Sequence, residues 1–337
     1  MRKYLALLVL TLVAPVTQAE DVYVNNLAGD DHNDGGAIAN EAPGRGPCRT
    51  IAMALRRAQA GDRVVLAKTD QPYRESITLQ GGRNSGLERT AFVLDGNGAT
   101  LDGSVPVPTD QWKHVEGDIF SFRPFYLHHQ QLFLGELPAA RRRIDREKGD
   151  LKELKPNEWC IYRQAIHFRT DGVKAPQQLP LRLAVQPVGI TLYEVHNVAV
   201  VNLTVQGFRI DGVNAHDDVR GAVLSGLTCR GNGRSGISIG GSSRVEVAGC
   251  LVGNNGEVQL RTEGRAIAAV NRSDLVVGEV STIFDGSGRL TIDGKLYQPA
   301  EKPAPDAPAA KATVREKPDI IRAGVSMPQP PRHPDEE

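Results

Sequence analysis

The chain has 337 residues, with 40 Lys plus Arg against 40 Asp plus Glu, so its formal net charge is zero. That balance excludes the broad positive field with which proteins hold nucleic acid or an anionic membrane surface. Glycine is high at 35 residues and aromatics are low at 5%, which suits short strands joined by tight corners.

In chain order, Arg2 and Lys3 precede an apolar run over 5–16, with small residues up to Ala19. This predicts an export signal over 1–19, too short in its apolar part to span a bilayer. The mature chain is then secreted or periplasmic, with no membrane span; a membrane-anchored start is the competing reading. A strand is expected at 21–24, followed by the turn-forming stretch GDDHNDGG over 29–36. That stretch lacks the alternate-carboxylate spacing and final Glu of a calcium loop, and reads as a surface turn. Thr50 can cap a helix over 51–60 whose apolar face is Ile51, Ala54, Leu55 and Ala58. Strands follow at 63–67 and 77–79, and 92–101 forms one more coil cornered at Asp95-Gly96-Asn97-Gly98.

From Val105 the pattern breaks. Most aromatics lie between 105 and 170, among them Trp112, Tyr126 and Trp159, together with a basic-acidic run over 139–155. Residues 105–187 therefore read as an inserted β-rich subdomain, after an N-terminal cap and first coils over 20–104. Within it Arg141, Arg142 and Arg143 read as a solvated charged stretch, with an anionic-sugar contact as the alternative. Regular coils occupy 188–297, and the Pro-rich segment 298–337 has little to bury and is expected to be disordered.

The coils are clearest over 197–263, where short alternating runs repeat around Gly/Asn corners. Leu203 and Leu227, Gly212 and Gly236, and Val213 and Ile237 lie 24 residues apart; Cys229 and Val252, and Asn232 and Asn255, lie 23 apart. A fixed period in the low twenties with several short strands marks a solenoid. The runs are too short and too rich in Val and Ile for paired helices, and the Leu-x-x-Leu-x-Leu spacing of leucine-rich repeats is absent. An all-β parallel β-helix remains. Cys48, Cys160, Cys229 and Cys250 show no metal-ligand spacing; Cys229 and Cys250 fall inside neighbouring coils and read as buried small apolar residues rather than a disulfide.

The order YVNNLAGDDHNDG, then GPCRTIAMALRRAQAGDRVVL, then YRESITL resembles the opening of right-handed parallel β-helix proteins of the pectate-lyase-like superfamily. QLFLGELPAARRR at 131–143 is similar to a segment of some carbohydrate-active members, where a side subdomain is inserted. The resemblance implies a capping helix at the N-terminal end and a carbohydrate groove on one sheet face, with a polysaccharide or other glycan as partner. Lyases of this group use a Lys or Arg base, often with calcium. No calcium cluster is recognisable here, so the cofactor stays open, and no resident metal ligand set is assigned.

Alternation within the second run of each period predicts which side chains face out. Two outward columns follow, Asn214–Ser238–Gln259 and His216–Gly240–Arg261. Gly240 would leave a notch between His216 and Arg261, rimmed by Asp217, Asp218 and Glu263, with Arg234 entering from a corner. His216, Asp217, Asp218 and Arg261 are the candidate catalytic residues; Asn214, Arg234, Ser238, Gln259 and Glu263 are the candidate substrate-binding residues. No lysine lies between Lys174 and Lys295, so a lysine base on these coils is excluded. A glycoside hydrolase would need a carboxyl pair, available only at corners or strand ends. A non-catalytic solenoid for attachment or scaffolding is the remaining alternative.

Overall fold

The computed structural model describes residues 19–145, 149–276 and 280–298. The export signal up to residue 18 and the Pro-rich segment beyond 298 lie outside the described residues.

The alternating runs assemble into three parallel ladders. The front sheet stacks Ile77–Gln80, Val188–Tyr193, Asp211–His216, Ser235–Ile239, Val258–Glu263 and Ser281–Gly286. The long sheet begins with Asp21–Val24 and Arg63–Leu66, continues through Phe92–Asp95, His196–Val201, Arg220–Ser225, Arg244–Ala248 and Ile267–Asn271, and ends with Arg289–Ile292. Only Lys295–Leu296 joins it antiparallel. A short sheet stacks Thr100–Asp102, Thr204–Gln206, Thr228–Arg230, Leu251–Gly253 and Asp274–Leu275. Each full turn of the chain visits the front, long and short sheets in that order, and from Val188 to Ser281 successive front-sheet rungs lie 23 or 24 residues apart and pair in register.

The core is made of inward columns. Ile77, Ile190, Val213, Ile237, Leu260 and Ile283 form one such column; Leu94, Val200, Leu224, Val247 and Val270 form another. All but Ile283 are buried, and each large side chain of this kind contributes about 1.5–3 kcal/mol by leaving water. Cys229 stands in the short-sheet column beside Val205 and Val252, with a free thiol, and Cys250 is likewise free and buried.

Corners explain the Gly/Asn spacing. The long-to-short corner turns through a left-handed residue in each coil, at Asn202, Gly226, Gly249 and Arg272 (φ 54, 62, 60 and 49°). The short-to-front corner is closed from inside by an asparagine stack. Asn232 accepts from the Phe208 amide (3.1 Å) and donates through Nδ2 to the Val205 carbonyl (3.2 Å) and Asn255 Oδ1 (3.1 Å). Asn255 in turn donates to the Cys229 carbonyl. These bonds supply partners that the buried corner backbone could not otherwise find.

The helix runs Ile51–Arg57, three residues shorter than expected. Asp62 accepts from the Gln59 amide (2.6 Å) and draws 59–62 into a turn. Thr50 caps the helix start, and Asp31 accepts from the Arg49 and Thr50 amides. Carboxylates of the GDDHNDGG stretch thus hold local backbone, and Ile51, Ala54 and Leu55 join the coil core.

Residues between Asp102 and Val188 leave the stack and return without adding a rung, since Ile190 pairs directly with Ile77 and Val205 with Leu101. They form a four-stranded antiparallel sheet and a five-stranded mixed sheet. Trp112, Phe122, Trp159, Ile166 and Phe168 make their own core.

Candidate functional site

On the outward face of the front sheet the register differs from the expected one. Ser238 pairs with Asn214 and Arg261, not Gln259, pairs with Ser238; Phe284 follows. The expected alignment slipped the third rung by two residues. A slip of two keeps every side chain on its own face and changes only its neighbours. The second column is therefore Gln80, Tyr193 and His216, then Gly240 and Glu263. Gly240 continues the ladder by donating to the Ala215 carbonyl (2.8 Å), and Ile239 pairs with Thr262. The notch at Gly240 lies between His216 and Glu263; a Cβ there would meet nothing within 4 Å.

His216 is half-buried, with Nδ1 3.1 Å from Asp217 Oδ2. Asp217 has a left-handed backbone (φ 68°), which turns its carboxylate back beside the ring that precedes it. The Tyr193 ring lies 5.2 Å from the His216 ring, one rung earlier. The charges of Glu194 and Asp217 push the Tyr193 hydroxyl above the ordinary phenol value, keeping it a proton donor at neutral pH. With Asp217 accepting from Nδ1–H, Nε2 of His216 is left as an acceptor.

Asp218 is not part of this group. It pairs with Arg220 (2.7 Å) and accepts from Ser242 on the long-sheet side, and the Arg220 hydrogen bond holds its carboxyl low. Arg261 donates to Glu263 (2.6 Å) and lies 4.1 Å from the Phe284 ring centre. The Arg261 hydrogen bond and charge, with the Arg234 charge behind them, keep Glu263 below the usual carboxylate range. Glu263 is thus an ionised carboxylate on the far side of the notch from His216.

Two expected binding residues are committed elsewhere. Arg234 forks onto Asp211 at 3.0 and 2.5 Å, and Asp211 also accepts from Ser235 Oγ and Asn214 Nδ2. Gln259 is buried and accepts from the Asn255 side chain (2.9 Å). Ser238 is covered as well, whereas Asn214 is half-buried on the face. Phe208 is buried, and so are Trp112 and Trp159, so none of them offers a sugar platform. Tyr126 does reach the surface at 49% exposure, beside Phe125 at 92%. Their loop is fixed to the front-sheet corner: Arg209 lies 4.4 Å from the Tyr126 ring centre, and His129 Nδ1 is 2.9 Å from Glu257, close enough for an ion pair though not aligned as a hydrogen bond.

Tyr193, Phe284 and Asp211 were missed as site residues in the sequence. Tyr193 and Phe284 lie 23 residues from His216 and Arg261, so extending the period one rung each way would have found them. Among the described residues no group of three or more His, Cys, Asp or Glu side chains is placed to hold a metal ion, and no helix is long and apolar enough to cross a membrane.

No family model and no curated protein matches this sequence. A solved structure described as a glycoside hydrolase shares 12% identity at a TM-score of 0.53, over 76% of this chain and 73% of that one. XylC in complex with xylose matches at 11% identity and a TM-score of 0.39 over 80% and 68% of the two chains. Pectate lyase Pel9A matches at 10% and 0.28 over 84% and 80%. At 12% identity the likeness to the structure at a TM-score of 0.53 concerns fold alone, and together with the three parallel ladders it is that of a right-handed parallel β-helix.

Proposed function

We propose that this right-handed parallel β-helix is an exported protein that binds an extracellular polysaccharide across its front sheet and cleaves it as a lyase. The observation that carries the reading is the stacked group Tyr193–His216–Asp217 beside the open position at Gly240. Elimination from a uronic acid needs a base for the proton next to the carboxylate and an acid for the departing oxygen. His216 Nε2 takes that proton, and the released electron pair becomes the ring double bond. The C4–O bond breaks, and Tyr193 gives its proton to the leaving oxygen. Asp217 stabilises the imidazolium that forms, and Arg261 supplies positive potential where the carboxylate gains charge.

The test is turnover of a panel of uronic-acid polymers, followed by absorbance of unsaturated products together with a reducing-sugar assay. Both signals should appear, and His216→Ala should lower the rate by about 10²–10⁴-fold. A rate untouched in His216→Ala and Tyr193→Phe would sink the assignment. A glycoside hydrolase is the second reading, favoured by the description of the structure at TM-score 0.53 and by the ionised Glu263; it would give reducing ends without unsaturated products. Glycan binding with neither signal would identify a non-catalytic solenoid.

A further inference from the structure

The three arginines at 141–143 have different fates. Arg142 is tied to Glu158 (2.8 Å). Arg141 stacks 5.0 Å from the Trp159 ring centre, and Arg143, exposed, donates to the Gly256 carbonyl (3.1 Å). Arg141 and Arg143 both line a cleft of about 320 Å³ between the insertion and the coil corner at 254–256, with Asn254 and Gln259 on the opposite side. We propose that this cleft binds the anionic group of an acidic sugar, a carboxylate or a sulfate ester, within the glycan of the preceding section. The proposal rests on that reading for the ligand being a glycan, and it adds a binding point for the charged group away from the Tyr193–His216–Asp217 group.

Charge carries the argument. Among the described residues neither Arg141 nor Arg143 has a carboxylate ion-pair partner: Glu158 belongs to Arg142, and Glu257 stands 2.9 Å from His129. Burial first, and then the neighbouring Arg143 charge, oppose the Arg141 charge; the nearby Glu257 charge offsets them only in part, so an anion between the two guanidiniums would be favoured. A guanidinium presents a planar fork that matches such a group. Of the amides opposite, Gln259 is buried and held by Asn255, and the exposed Asn254 is the one that suits a hydroxyl. The volume is at the lower end of the roughly 300–1,000 Å³ range of small-molecule sites, room for one sugar unit with its charged group. The corner at Gly256 runs straight into the front strand Val258–Glu263, so the cleft adjoins the sheet edge.

The test is calorimetric titration of the full chain with oligogalacturonate and alginate oligomers, a sulfated galactan oligomer, and the carboxyl-reduced oligogalacturonate as neutral control. At least one anionic oligomer should bind about tenfold or more tightly than the neutral control, the scale of one charge-assisted hydrogen bond. Arg141→Gln and Arg143→Gln should each erase most of that preference and leave neutral binding in place. Arg143→Gln, at an exposed side chain, keeps the test available if loss of the Trp159 stacking disturbs folding. Which oligomers show the preference distinguishes carboxylate from sulfate. Equal binding of charged and neutral oligomers, no binding of any, or a preference surviving both substitutions overturns the proposal. Cleavage of uronates with the preference intact in both variants removes the cleft and leaves the reaction. Loss of preference in the variants, with no polymer cleaved by the wild type, removes the reaction and leaves the cleft.

Discussion

Replacing Arg234 with Gln tests whether this residue holds the fold or serves the ligand. Its partner Asp211 is fully buried and receives four hydrogen bonds, two of them from the Arg234 guanidinium. Removing the cation leaves an uncompensated carboxylate in the interior, which costs about 3–5 kcal/mol when a buried pair is broken. The Arg234 side chain is 24% exposed, so water can reach part of the vacated space and the lower end, about 3 kcal/mol, applies. In a domain of this size that corresponds to a fall in Tm of about 6–12 °C. Far-UV circular dichroism is the appropriate probe, because both tryptophans, Trp112 and Trp159, sit in the insertion and report on it rather than on the coils. The double variant Asp211→Asn/Arg234→Gln buries no charge and should recover at least half of the loss. Stability of Arg234→Gln within about 1 kcal/mol of the wild type, the size of an ordinary surface effect, would refute the structural role and return Arg234 to the ligand.

Gly233→Ala should destabilise strongly, since its Cβ would lie 1.6 Å from the His129 carbonyl oxygen and 2.3 Å from that of Arg209; the expected readout is a lower Tm with increased proteolysis in the 123–131 loop. Gly240→Ala meets no atom within 4 Å and should leave Tm within about 2 °C, taking its cost as that of an ordinary surface substitution, while reducing turnover by filling the notch. Asn232→Ala strips partners from the Phe208 amide and the Val205 carbonyl, and should cost about 2–4 kcal/mol in urea unfolding followed by circular dichroism. Glu263, held low by Arg261 and then by Arg234, contributes stability that is fully present above its ordinary value of 4.5 and is lost as pH falls through its folded value. Tm measured from pH 7 to pH 3 should therefore drop less steeply in Glu263→Gln than in the wild type; identical slopes would count against the Arg261–Glu263 coupling.

The sequence by itself determined the solenoid. Period, alternation and corner residues are local properties, and Leu203/Leu227 or Asn232/Asn255 show them without knowledge of any partner strand. Near residue 105 aromatics and charge runs replace the alternation in the sequence; in the structure the chain leaves the stack after Asp102 and rejoins it at Val188. It showed which side chains of the front strands face outward too, since parity survives a slip of two residues. Tertiary structure alone decided which outward residues stand together. Only hydrogen bonding between rungs pairs Arg261 with Ser238 and brings Tyr193 beside His216; only a left-handed turn at Asp217 sets its carboxylate on the imidazole while Asp218 goes to Arg220. The notch at Gly240 survived with a different neighbour, Glu263 in place of Arg261. Arg234 and Gln259 have the chemistry of ligand-binding residues, but Asp211 and Asn255 claim them, and those contacts depend on desolvation and corner geometry that no spacing in the chain records.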